Sequence, residues 1–211
     1  MRNLWIFICM IFLCTKAHSG PIFSMYLDFI ERESINYGLI SVINNYVPHE
    51  FKDEFIVSTV GFLGDYKFPL YCLAIAKHES GNFRYMSSIK VNRNGSIDRG
   101  PMGLNSYNIL NKEFNNSFRP NYAIYNENVL YMVMGINYFK NLYLHLGEVD
   151  SLYVYNAGYT RYLRSTLPRS TIQYQKSVYH IFSLLYQEFY TFYTKYYISL
   201  FLKYRRINRG F

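Results

Sequence analysis

Two carboxyl side chains in this chain are set in contrasting surroundings. Glu79 closes the stretch FPLYCLAIAKHES, where Leu70, Leu73, Ala74 and Ala76 give an apolar side at helical spacing. Pro69 suits a first helical position, where a missing N–H costs nothing, and Gly81 suits a left-handed stop. The spacing therefore predicts a short helix with Glu79 in its last turn. There the partial negative charge of the carbonyl end and partial burial both disfavour a carboxylate. A carboxyl kept protonated near neutral pH is what a general acid needs. Nineteen residues further on, Asp98 lies in the solvated turn NGSIDRG. Two carboxyls in unlike environments are the arrangement that cleaves glycosidic bonds. Neither alone proves it, because a Glu at a helix end is ordinarily a surface residue and an Asp in such a turn is ordinarily turn chemistry.

The elements that must position this pair follow from the rest of the chain. Residues 1–19 carry one early positive charge, an apolar run from Leu4 to Cys14, and Ala17-His18-Ser19 as a small-x-small cleavage signal. They read as a secretory signal peptide cut before Gly20, with an uncleaved anchor as the alternative. Export leaves Cys72 as the one cysteine of the mature chain, so no internal disulfide forms there; its apolar setting makes it a buried small hydrophobe. Periodicity predicts a helix over 22–47, with Ile22, Met25, Tyr26, Phe29, Ile30, Ile35, Leu39, Val42 and Ile43 as its apolar side, and a second from His49 to Phe62. Ser106 to Asn116 reads as a short helix leading into a polar linker that ends at Arg119-Pro120. From Asn128 a buried helix follows, with Gly135 inside it, and a short helix from Val149 to Tyr155 delivers Asn156-Ala157-Gly158. A helical Gly carries a penalty of about 1 kcal/mol against Ala, which suggests a close helix crossing at Gly135.

The order of these pieces is specific. An apolar helix ending in Glu79-Ser80, then Gly-x-Met-x-Leu-Asn-Ser, then Gly135, Tyr138, Gly147 and Tyr155 to Gly158, then Leu167-Pro168, Thr171 and Tyr174, resembles the soluble lytic transglycosylase (SLT) domain family of the lysozyme-like superfamily. NRNGSIDRGPMGLNS also looks like the Asp-bearing hairpin of animal-type lysozymes. The resemblance spans about Phe68 to Tyr179. It implies a mainly α, lysozyme-like fold: a single helical domain with at most a small β-hairpin around 91–100. The expected division is a leader over 1–19, packing helices over 20–66, the lysozyme-like domain over 67–185, and an extension over 186–211. The resemblance further implies Glu79 as the acid/base, Ser80 as its neighbour, Met102 lining the sugar groove, Tyr155 and Asn156 flanking the site, and Tyr174 near Glu79. Asp98 is then a second carboxylate. Two positions depart from the family: Gly103 stands where it usually has Gln, and Tyr131 where it often has Asn. The plainer readings are that Met102 plugs a core gap, that Tyr174 is a core residue, and that Tyr-Asn-Ala-Gly is a helix end.

The activity implied is cleavage of the MurNAc–GlcNAc β-1,4 bond of peptidoglycan in the periplasm or cell envelope, leaving 1,6-anhydromuramyl ends. The rivals are a lysozyme-type hydrolase using Glu79 and Asp98, and an inactive wall-binding module. No metal or cofactor is implied: the histidines are scattered and no cluster has ligand spacing. The formal charge is +8, and losing Arg2 and Lys16 with the leader brings it to +6, which suits an anionic partner such as the wall or phospholipid head groups. Nucleic acid is disfavoured, because the basic residues are dispersed and the chain leaves the cytoplasm. Residues 186–211, aromatic and then basic, read as a packing helix, an interfacial membrane segment, or a tail that binds a partner such as a secretion or flagellar machine. Packing plus surface contact is the favoured reading.

Overall fold

Nine consecutive residues, Phe68 to Ala76, are buried in one helix of the computed structural model. The structure describes residues 21–60, 65–86, 89–93, 95–109 and 126–207. The chain is mainly helical with a small three-stranded antiparallel sheet. In order come α1 (Pro21–Tyr46), α2 (His49–Thr59), α3 (Lys67–Glu79), β1 (Lys90–Val91), β2 (Ile97–Arg99), β3 (Leu104–Asn105), α4 (Ser106–Ile109), α5 (Glu127–Ala157), α6 (Tyr159–Leu163) and α7 (Arg169–Ile207). The expected leader over 1–19, the rest of the expected helix to Asn116 and the linker to Pro120 lie outside the described residues.

A helix apolar on every side must be wrapped on every side, and α3 is. The one-sided stripe expected from Leu70, Leu73, Ala74 and Ala76 was too narrow, because Phe68, Tyr71 and Cys72 are buried as well. Its start also lies two residues earlier than expected, so Pro69 sits third; first-turn N–H groups have no helical partner, and the ring is tolerated there. Phe68 stacks near Phe139, and Tyr71 stacks on Phe182 with ring centroids 4.0 Å apart. Truncating a core side chain such as Leu73 to Ala costs about 2–5 kcal/mol.

Around α3 the long α5 acts as the hub, packing against α2, α3, β3 and α6. Asn126 caps its start, accepting the Asn128 N–H at 3.0 Å. Gly147 (φ 78°, ψ −175°) bends it, so the short helix expected from Val149 follows a true break. At Gly135 the structure corrects the expected helix crossing. A Cβ there would lie 2.5 Å from the Met102 Cβ, so what passes closely is the turn between β2 and β3, not another helix.

The chain divides into two compact units. One is Leu39–Tyr190 and holds the core just described. The expected boundary at 66/67 is absent because Phe51 and Phe55 of α2 are buried in this same unit. The other unit includes residues 21–38 and 191–207 of the described chain. Within it Tyr26 stacks on Tyr204 (3.9 Å) and Tyr37 on Tyr196 (4.2 Å), so the two helical stretches run antiparallel. Met25 and Phe29, expected inside, are exposed, and Leu27 is buried in their place. Among the described residues no helix is long and apolar enough to cross a membrane.

Candidate active site

Glu79 is the last residue of α3. Ser80 ends the helix by donating both its N–H (3.0 Å) and its hydroxyl (2.5 Å) to the Ala76 carbonyl. The same hydroxyl accepts the Phe83 N–H at 2.8 Å. Buried and engaged on both sides, Ser80 is a helix terminator; its side chain faces the fold and not an open groove. Gly81, Asn82 and Phe83 then take φ of 58°, 60° and 63° in succession. For a buried Phe this is a rare conformation, costing on the order of 1–2 kcal/mol. Strain of this kind gathers at functional sites, and here it lies directly behind Glu79.

Facing the acid is the small sheet. Its register pairs Lys90 with Asp98 and Asp98 with Asn105, which sets these three side chains in one row across the strands. The Asn105 amide donates to Asp98 Oδ1 at 2.7 Å and fixes that carboxyl. The charges of Lys90 and Asp98 both reach Glu79, with opposite effects. Lys90 and Asn105 were not singled out from the sequence.

Gly103 covers the carboxyl. A Cβ at this position would lie 2.7 Å from Glu79 Oε2 and 2.9 Å from its carboxyl carbon, and the backbone φ is +60°. The acid occupies the space where any side chain at 103 would begin. Burial of this kind pushes the Glu79 pKa from an ordinary 4.5 up to about 7. Tyr174 and Lys90 pull it down and the Asp98 charge lifts it, each less than burial does. The Tyr174 hydroxyl stands close enough to shift the acid, yet it is buried without a closed hydrogen bond. Its ring packs edge-on against His78, whose pKa is lowered by burial.

The remaining expected residues are distributed unequally. Met102 is fully buried beneath Gly135, so its side chain packs and lines no open groove. Its carbonyl accepts the Tyr155 hydroxyl at 2.7 Å, which places Tyr155 as the post that holds the Met102–Gly103 turn against Glu79. Asn156 is exposed, and its Oδ1 accepts the Thr171 hydroxyl at 2.8 Å, tying down the start of α7, the helix that carries Tyr174. Tyr131, at the second departing position, donates neither to Glu79 nor to Asp98; its hydroxyl meets Arg99 at 3.0 Å.

The structure thus brings Glu79, Asp98 and Tyr174 together, and puts Ser80, Met102 and Tyr155 behind them as support. A carboxyl poised near 7 can give a proton and take one back at neutral pH. No family model matches this chain, and no curated protein or solved structure is detectably similar to it.

Proposed function

We propose that this chain is an exported lytic transglycosylase of the SLT type, acting on peptidoglycan glycan strands in the periplasm or cell envelope. The observation that carries the reading is Glu79: an acid at a helix end, covered by Gly103, raised to about 7 and faced by a polar row of Lys90, Asp98 and Asn105. The motif order that resembles the family runs through these same residues. Protonated Glu79 gives its proton to the oxygen that links MurNAc C1 to GlcNAc as the C1–O bond breaks. The resulting carboxylate takes the proton of the muramyl 6-hydroxyl, whose oxygen bonds to C1 and closes the 1,6-anhydro ring. No water is consumed, and the acid returns to its starting state. Asp98 supports the cationic transition state through its charge.

Asp98 also favours a second reading, because it is fixed by Asn105 and its charge is felt by Glu79. In that reading Asp98 is the nucleophile or charge stabiliser and water is the acceptor, as in a retaining hydrolase. Mass spectrometry of muropeptides released by the purified protein separates the two. Anhydro ends, lighter by one water, support the transglycosylase, and reducing ends support the hydrolase. In the first case Asp98→Asn lowers activity by about tenfold or less; in the second it abolishes activity as completely as loss of Glu79. No release from sacculi at any pH overturns both.

A further inference from the structure

The unit that includes residues 21–38 and 191–207 holds none of the residues assigned to this chemistry, and its outer surface has a charge pattern of its own. After Glu188 the sequence holds no further acid, yet carries Lys195, Lys203, Arg205, Arg206 and Arg209. The chain is helical through Ile207. Lys195, Ile198, Leu202 and Arg205 recur at spacings of three, four and three, which sets them on one face of α7. All four are exposed; Ile198 and Leu202, both aliphatic, are 39% and 49% accessible. The opposite face is already used, with Tyr196 stacked on Tyr37 and Tyr204 on Tyr26.

We propose that this face of α7, Lys195–Ile198–Leu202–Arg205, is a docking surface for an anionic phospholipid bilayer. Two aliphatic side chains bracketed by cations match the boundary between acyl chains and acidic head groups. The aliphatics dip into the boundary while the long Lys and Arg stems reach the phosphates. An anionic polymer or an acidic protein would be served by the cations alone and would leave Ile198 and Leu202 without a role. α7 itself carries no acid after Glu188; the acids of this unit, Asp28, Glu31 and Glu33, lie on α1, which packs against α7 through Tyr26 and Tyr37 on the side away from this face. This proposal stands independently of glycan cleavage.

The test is co-sedimentation of the full chain with vesicles of phosphatidylglycerol and phosphatidylcholine, and with phosphatidylcholine alone. The wild type is compared with Ile198→Glu/Leu202→Glu, with the milder Ile198→Ser/Leu202→Ser, and with Lys195→Glu/Arg205→Glu. All share residues 1–20, so any contribution of that apolar run cancels. Exposed positions should not unfold the chain, and circular dichroism checks this. On anionic vesicles both Glu-bearing double variants should bind at least tenfold more weakly than the wild type, with Ser/Ser between. On phosphatidylcholine wild type and variants should be alike. If only the charge reversals weaken binding, the surface serves a polyanion and the proposal fails. If no folded variant differs from the wild type, the face binds nothing lipidic and the proposal fails outright.

Discussion

The two ends of α3 carry acids in opposite circumstances. At its start, Asp65 accepts the Lys67 N–H at 2.9 Å and the Tyr143 hydroxyl at 2.7 Å. Beside it Glu148 pairs with Lys67 Nζ at 2.6 Å and accepts from Tyr71 at 3.2 Å. Every carboxylate oxygen there has a donor. At the other end Glu79 closes no hydrogen bond with a described residue; it has a glycine over it, a tyrosine that approaches without bonding, and two opposed charges across the way. One network is satisfied and holds the fold. The other buries its acid, and burial is what lifts that carboxyl toward neutral pH.

The largest break in this comparison is Glu79→Gln. The amide keeps the shape of the side chain but has no proton to transfer, so wall cleavage should fall at least about a hundredfold. Turbidity loss of sacculi measures it, with circular dichroism confirming the fold. Stability should move the other way. A carboxyl whose pKa rises from 4.5 to about 7 binds more protons folded than unfolded. Its contribution is therefore present below 4.5 and is lost as pH climbs through 7, by at most about 3 kcal/mol. Denaturant unfolding at pH 5 and pH 8 should show this slope in the wild type and lose it in Glu79→Gln. Wild-type activity should likewise fall as pH rises through about 7.

A smaller effect comes from Gly103→Ala. The new methyl would displace the carboxyl it meets at 2.7 Å and would hold a non-glycine residue at φ +60°. Activity should drop about tenfold, since a catalytic group misplaced by about 1 Å is already costly. The pH at which activity is half lost should shift with it, because the glycine is part of what buries the acid. An unchanged pH profile would show that the burial of Glu79 does not depend on this contact.

How far the sequence reached differs between the two ends as well. Helical periodicity marked α1, α2 and α3, and the Pro, Gly and carboxyl positions placed Glu79 at a helix end. Local rules sufficed there, because caps and stripes are local. They did not reach the burial of Ser80 and Met102, expected to line a groove and found packed inside the fold, since burial depends on what the turn between β2 and β3 packs against. That surface is Gly135, 32 residues away in the chain from Gly103. The Asp65–Tyr143 and Lys67–Glu148 pairs were illegible for the same reason: their partners are separated by 78 and 81 residues. The division into units was missed because α1 and α7 read as continuous helices, and each contributes to both units.

The smallest expected effect belongs to the satisfied end. Tyr143→Phe removes the hydroxyl that donates to Asp65 and leaves the ring, which stands edge-on to Phe68 at 5.5 Å, in place. Asp65 keeps the Lys67 N–H and is partly open to water, so the loss should lie at the low end for one hydrogen bond to a charged group, about 1.5 kcal/mol in unfolding free energy. The Lys67–Glu148 pair is over a third exposed on both sides, and breaking it with Lys67→Met should cost less than about 1 kcal/mol. Neither change should alter the rate of wall cleavage or its pH dependence, since neither touches Glu79, Asp98 or the turn that covers the acid. Parallel urea unfolding and sacculus-clearing assays make the comparison direct. If Tyr143→Phe moved the pH profile while leaving stability unchanged, the two ends of α3 would be coupled, and the division between a holding network and a reacting one would have to be abandoned.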